Sequence, residues 1–148
     1  MNLAMRPMTI ADYEAVRGLW EATEGVGLNE SDGREPIAAF LTHNPGLSQV
    51  AIQGTTIVGA VLCGHDGRRG YLHHLAVAAP HRNLGFGKAL VEACLARLAQ
   101  LGIPKCNIFL FADNVAGEAF WKHNGWLKRP DLLVMQKPLV ATAQKTGC

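Results

Sequence analysis

Arg82-x-x-Gly85-x-Gly87, followed at once by Lys88, is the segment of this chain best suited to chemistry. Glycines lack a Cβ and admit positive φ, so successive backbone N–H groups can turn into one concavity. A helix that starts just after such a turn adds its own unbonded N–H groups and the positive end of its dipole. With Arg82 and Lys88 beside it, the turn is suited to holding a phosphate or pyrophosphate. Two other glycine motifs do not fit. A dinucleotide fingerprint requires a third glycine three positions on, where Leu90 stands, and an acidic residue about twenty positions later. A P-loop requires Ser or Thr after Gly-Lys, and Ala89 stands there.

His73 and His74 are the candidates for proton transfer, because imidazole titrates near neutral pH. Strand alternation puts His73 on one face with Tyr71, Leu75 and Val77 and turns His74 the other way. Parity therefore favours His73 as the histidine that meets a pocket, although a bulge in this strand would reverse the faces. Cys63, Cys94, Cys106 and Cys148 show no C-x-x-C and no His at zinc spacing. Three of them sit in apolar runs and read as small buried hydrophobes, so no metal site is expected. Arg68-Arg69 reads as a solvated turn.

These residues need elements to hold them. Leu3–Pro7 reads as an edge strand. Thr9 and Asp12 can cap a helix over residues 10–22, with Ile10, Tyr13, Val16 and Trp20 on one face. A polar, glycine-rich loop runs from Glu24 to Gly33. Pro36 suits the first turn of a second helix, which ends at His43-Asn44-Pro45-Gly46. The period then changes to two. Strands are expected over Ser48–Gln53, Thr56–Cys63 and Tyr71–Val77, the first two as a hairpin turning at Gly54-Thr55. A long helix follows Gly87 and runs through Leu101, with Leu90, Cys94, Leu98 and Leu101 on its apolar stripe and Gly102 and Pro104 beyond its end. Cys106–Phe111 reads as a buried strand, and Asp113-Asn114 can cap a helix reaching about Asn124. Trp126–Lys128 and Leu132–Lys137 read as short closing strands. The expected order is β-α-α-β-β-β-α-β-α-β-β, a mixed α/β (α+β) sheet. One domain over residues 1–139 is expected, with a flexible tail over 140–148.

At 148 residues the chain is long enough to bury a core, and 49% hydrophobic against 18% charged residues excludes extensive disorder. Fourteen Lys and Arg against twelve Asp and Glu, a formal +2, do not suggest a nucleic-acid binder that blankets phosphates. No charged-then-apolar leader opens the chain, and no apolar run is long enough to span a bilayer. A reduced, cytoplasmic protein without a membrane partner is expected.

The strand-to-helix segment Leu75-Ala76-Val77-x-x-Pro80-x-Arg82-x-x-Gly85-x-Gly87-x-Ala89-Leu90 resembles the acetyl-CoA motif of the GNAT superfamily of N-acetyltransferases. Asn114 and Ala119-Phe120-Trp121-x-x-x-Gly125-Trp126 are similar to the family's second segment. Arg6-Pro7 with Thr9 and Asp12, and Val134–Leu139, extend the likeness over roughly residues 3–139. The resemblance implies a mostly antiparallel sheet of six to seven strands flanked by four helices. It implies acetyl-CoA as co-substrate. Arg82, Asn83, Leu84, Gly85, Phe86, Gly87 and Lys88 would take the pyrophosphate, and Leu75, Ala76 and Val77 the pantetheine in a V opening toward Cys106–Phe111. Asn114 and Trp121 would complete that site. A backbone N–H near Leu75 would polarise the thioester carbonyl.

The acceptor implied is a primary amine of a small molecule, peptide or protein. It would be covered by the first two helices and their loop, with Trp20, Glu24, Asn29 and Asp32 as candidates and Tyr71 and Phe111 as candidate pocket walls. The chain departs from the family at Trp121, where a Tyr usually supplies the acid for the thiolate; an indole N–H donates but does not usefully ionise. His73, His74 and Trp121 are thus the candidate catalytic set. A rival reading is an acyl-CoA-binding sensor without turnover, and a second is a nucleotide-binding domain of another kind. Many members of the family pair through sheet edges or C-terminal strands, so a homodimer is among the expectations.

Overall fold

In the computed structural model, which describes residues 3–140, five strands form one sheet in the order β1-β2-β3-β4-β5. They are β1 (Leu3–Pro7), β2 (Gln49–Gln53), β3 (Thr56–His65), β4 (Gly70–Val77) and β5 (Cys106–Ile108). The first four run antiparallel to their neighbours, and β5 joins β4 in parallel. Four α-helices flank the sheet: α1 (Tyr13–Glu21), α2 (Arg34–His43), α3 (Phe86–Gln100) and α4 (Val115–His123).

The helices bury most of the apolar stripes their spacing defines; Leu101, expected on the stripe of α3, is instead exposed at its C-cap, where the helix has ended. Leu90, Cys94 and Leu98 of α3 pack on Val58, Val61, Cys63 and Leu72 on one side of the sheet. Val16 and Trp20 of α1 and Ile37 of α2 pack on Val50, Ala60, Leu62 and Ala76 on the other. The chain turns from β1 into α1 on one carboxylate. Asp12 accepts from the Thr9 N–H at 2.9 Å and from Nη1 and Nη2 of Arg6 at 2.7 and 2.8 Å. The Arg6 guanidinium holds the Asp12 carboxyl below the usual carboxylate range.

The sheet departs from the expected one at its far edge. Cys106–Phe111 is a strand only as far as Ile108, and neither Trp126–Lys128 nor Leu132–Lys137 is a strand, so the described residues form five strands rather than six or seven. Only Gly70, Tyr71 and Leu72 of β4 pair with β5. A three-residue edge is a short ladder to extend, and Pro130 and Pro138 cannot donate to one. Leu132-Leu133-Val134-Met135 is also a continuous apolar run, without the alternation that would commit one face to the core. All four side chains are exposed. The expected tail falls, after Val140, outside the described residues.

The second departure is inside β4. Ala76 pairs with Ala60 and His73 with Leu62, so two residues, His74 and Leu75, stand opposite Val61 alone. This is a β-bulge, and His74 takes up the extra residue with φ +55°. The bulge switches the faces. Leu72 packs on the α3 side, yet Ala76, four residues on, packs on the α1 side, while Leu75 and Val77 join the α3 side. His73 touches Phe40 of α2, and His74 touches Trp20 of α1. Both imidazoles therefore face the α1–α2 layer. Simple alternation separates them, and the bulge brings them together.

Candidate active site

Where β4 and β5 stop pairing they leave a cleft of about 440 Å³. That volume is within the range of small-molecule sites. Its walls are Leu72–Val77 on one side and Ile108–Leu110 on the other. The start of α3 closes one end, and Thr23–Val26 of the loop after α1 lies over it.

The start of α3 is an open cradle. Gly85, with φ +85°, is its N-cap, and Asn83 is also left-handed at +62°. A Cβ built on Gly85 would meet no atom within 4 Å, so space over the turn is free. The first N–H bonded back into the turn is that of Ala89, to the Gly85 carbonyl at 3.0 Å. Those of Phe86, Gly87 and Lys88 thus lie at the helix end that attracts anions. Arg82 donates from Nε to the Val77 carbonyl at 2.8 Å, which fixes its guanidinium at the end of β4. The donors and cations present suit a diphosphate.

Arg82, Asn83, Gly85, Phe86, Gly87, Lys88, Leu75, Ala76, Val77, Asn114 and Trp121 all lie along the cleft, whereas Leu84 is exposed outside it. Asn114 has a structural duty as well: its Oδ1 accepts from the Gly117 N–H at 2.8 Å and caps α4. A Cβ on Gly25 would stand 2.8 Å from Asn114 Nδ2, so the loop over the cleft fits against this cap only because residue 25 is glycine. Trp121 is 9% exposed and packs edge-on against Phe120 and Trp126. It forms part of the cleft floor and carries no titratable group.

Of the acceptor candidates, Glu24 lies on the cleft wall, and Trp20, Asn29, Asp32, Tyr71 and Phe111 lie off it. Asp32 and Tyr71 reach the site through the histidines. Asp32 Oδ1 is 2.9 Å from His74 Nε2, both side chains being nearly buried. Tyr71 stacks on His73 with ring centroids 6.3 Å apart, and Phe109 stacks on both. Phe109 and His81 are cleft residues that sequence reasoning did not single out. Phe109 was hidden within the long strand expected there. His81 stacks on Phe86 and is hydrogen-bonded to Gln53 Oε1 at 2.5 Å, partners that sequence proximity does not reveal for Gln53.

Charge in the site is uneven. Burial pushes the His73 imidazole below the ordinary histidine value, the neighbouring His74 adds to this, and Asp32 opposes it. Burial alone would raise the Asp32 carboxyl, but hydrogen bonds from His74 and the Asn29 N–H, with Arg17 nearby, hold it below the usual range. Burial also pushes the Cys106 thiol up to about 12. The contact with Cys63, followed by burial, drives Cys94 upward too. Neither thiol is suited to act as a thiolate near neutral pH. Among the described residues no group of three or more His, Cys, Asp or Glu is arranged to hold a metal ion.

Fold and cleft together define an acyl-transfer scaffold, and the comparisons agree. The model of the acetyltransferase (GNAT) family matches residues 13–126. An acetyltransferase of Yersinia pestis is 38% identical over 105 residues, 71% of this chain and 74% of its own length. One of Sodalis glossinidius is 30% identical over 129 residues, 87% of this chain and 90% of its own. The crystal structure of the PaiA N-acetyltransferase of Thermoplasma acidophilum in complex with coenzyme A superposes with a TM-score of 0.73 at 20% identity, covering 84% of this chain and 89% of that one. The chain belongs to the GNAT acetyltransferase family, and its general activity is acetyl transfer. No helix among the described residues is long and apolar enough to cross a membrane.

Proposed function

We propose that this protein moves an acetyl group from acetyl-CoA to a primary amine by direct attack within a ternary complex. The observation that carries the reading is the open N-terminus of α3, with Gly85 unobstructed, at the end of the cleft that both histidines also line. The N–H groups of residues 86–88, with Arg82 and Lys88, would hold the diphosphate, and Leu75–Val77 would run beside the pantetheine. The bulge at His74-Leu75 interrupts pairing with β3, and a backbone N–H near Leu75 would polarise the thioester carbonyl. A histidine on the acceptor side takes the ammonium proton. The acceptor is the amine of a small molecule or of a peptide or protein, and the reaction belongs in the cytoplasm.

Gly85→Glu tests the cradle. It places a carboxylate where phosphates would sit, and like charges in contact cost several kcal/mol, so CoA affinity falls at least about 100-fold by calorimetric titration. Gly85→Ala suffers the same left-handed backbone without the charge and loses far less. Equal affinities for wild type and Gly85→Glu would overturn the assignment. Release of CoA thiol from acetyl-CoA with amines tests turnover.

Trp121 supports a second reading, that of an acyl-CoA sensor. It offers no ionisable hydroxyl to a leaving thiolate. Tight CoA binding with no thiol release for any amine would favour that reading.

A further inference from the structure

We infer that Asp32 is a positioning residue for His74, holding Nε2–H toward its carboxylate and leaving Nδ1 for the cleft, so that His74 rather than His73 is the catalytic base for the amine. The inference rests on the acetyl-transfer reading above.

A carboxylate only accepts hydrogen bonds, so the 2.9 Å contact places the ring hydrogen on Nε2. Nδ1 then carries the lone pair, and it has no hydrogen-bond partner among the described residues. The carboxylate itself is fixed. Asp32 Oδ2 accepts from the Asn29 N–H at 3.0 Å, and the Asp32 carbonyl accepts from Tyr13 Oη at 2.7 Å and Arg17 Nη1 at 3.1 Å. The turn before α2 is thus pinned to α1, and it delivers its charge to a residue 42 positions later in the chain. His74 also holds φ +55°, an unfavourable backbone for a residue with a Cβ. The bulge that imposes this angle is what aims the imidazole at Asp32.

His73 has a different setting. It is stacked with Tyr71 and Phe109 and has no carboxylate partner, so a proton on it is opposed by burial. The groups around His74 are Asp32 from the turn before α2, Arg17 and Tyr13 of α1 behind that carboxylate, and His73 on its own strand at 6.5 Å. Trp20 of α1 packs against the ring edge-on at 5.1 Å, and Glu24 lies on the cleft wall.

The step balances as follows. His74 Nδ1 takes one proton from the ammonium, directly or through a water, and passes it to solvent. The amine nitrogen then bonds to the acyl carbon, the C–S bond breaks, and the second nitrogen proton neutralises the departing thiolate. The products are an amide and free CoA thiol, with one proton released.

The test measures kcat and KM of thiol release for wild type, His74→Gln, His73→Gln and Asp32→Asn, using 2-phenylethylamine, spermidine and a short peptide with a free N-terminus. His74→Gln should lower kcat about 100-fold and Asp32→Asn at least about tenfold. CoA affinity should stay near wild type in both. Ring-nitrogen NMR of the wild type should show His74 protonated at Nε2 in its neutral form, a reading that needs no variant to fold. A larger loss in His73→Gln than in His74→Gln, or an Nδ1-protonated His74, would overturn the pairing alone. No thiol release by wild type with any of the three amines would overturn the acetyl-transfer reading, and the base with it.

Discussion

His73 and His74 are neighbours in sequence with different surroundings, aromatic rings around the first and a carboxylate beside the second. The carboxylate of Asp32 reaches His74 and not His73. Burial holds the His73 value in the fold below its ordinary 6.5, so the unfolded chain binds more protons in the window between the two values. Stability attributable to His73 is therefore complete above about pH 6.5 and is lost as pH falls toward its folded value. His73→Phe keeps a ring in the stack with Tyr71 and Phe109 and removes the titration. The loss of melting temperature between pH 7 and pH 5 should be shallower in this variant than in wild type. An identical slope would show that the ring is no harder to protonate in the fold than out of it. Asp32 has the opposite chemistry and a lower window: its depressed carboxyl contributes stability above its ordinary 3.8 that is lost as pH falls further.

Elements decide where those residues can act, and here the chain was only partly legible. Helical spacing announced α1 and α3, Pro36 and the Asp113-Asn114 cap announced α2 and α4, and the glycines of the cradle announced the start of α3. Alternation in β4 was readable too, but no residue type marks a bulge, and His74 is neither Gly nor Asn. The face switch after His73 comes from pairing with β3, information that lies upstream, outside β4, in Ala60 and Leu62. Asp32 was legible as a polar loop residue, but its partner was not, because their meeting depends on how α1 and α2 pack on the sheet. The closing strands failed for a related reason: apolar runs at Trp126–Lys128 and Leu132–Lys137 specify a strand only if an edge is there to receive them. Capping is an element-scale effect with a measurable size. Asn114→Ala removes the acceptor for the Gly117 N–H and should cost about 1 kcal/mol in urea denaturation. The change should also raise the KM for acetyl-CoA, since Gly25 and the loop over the cleft rest on that side chain. A stability loss without any effect on KM would confine Asn114 to its cap.

At the scale of the whole molecule, a chain with a formal charge of +2 has little long-range field with which to attract a polyanion. The proposed grip on CoA must then be local, and its parts differ in how they respond to salt. Arg82 and Lys88 are exposed at the rim of the cradle, where ions screen them. The N–H groups of residues 86–88 act at hydrogen-bond range, where screening is weak. Two exposed charge contacts at roughly 0.5 kcal/mol each amount to about 1 kcal/mol, or about fivefold in affinity. Raising sodium chloride from 0.05 to 0.5 M should therefore weaken CoA binding by about fivefold in calorimetric titration. Lys88→Ala, which leaves the backbone N–H in place, should lower the affinity at low salt and flatten the salt dependence. A loss of 100-fold or more in wild type over the same range would mean that side-chain charge, rather than the backbone of α3, carries the binding. The cradle would then be secondary to its rim.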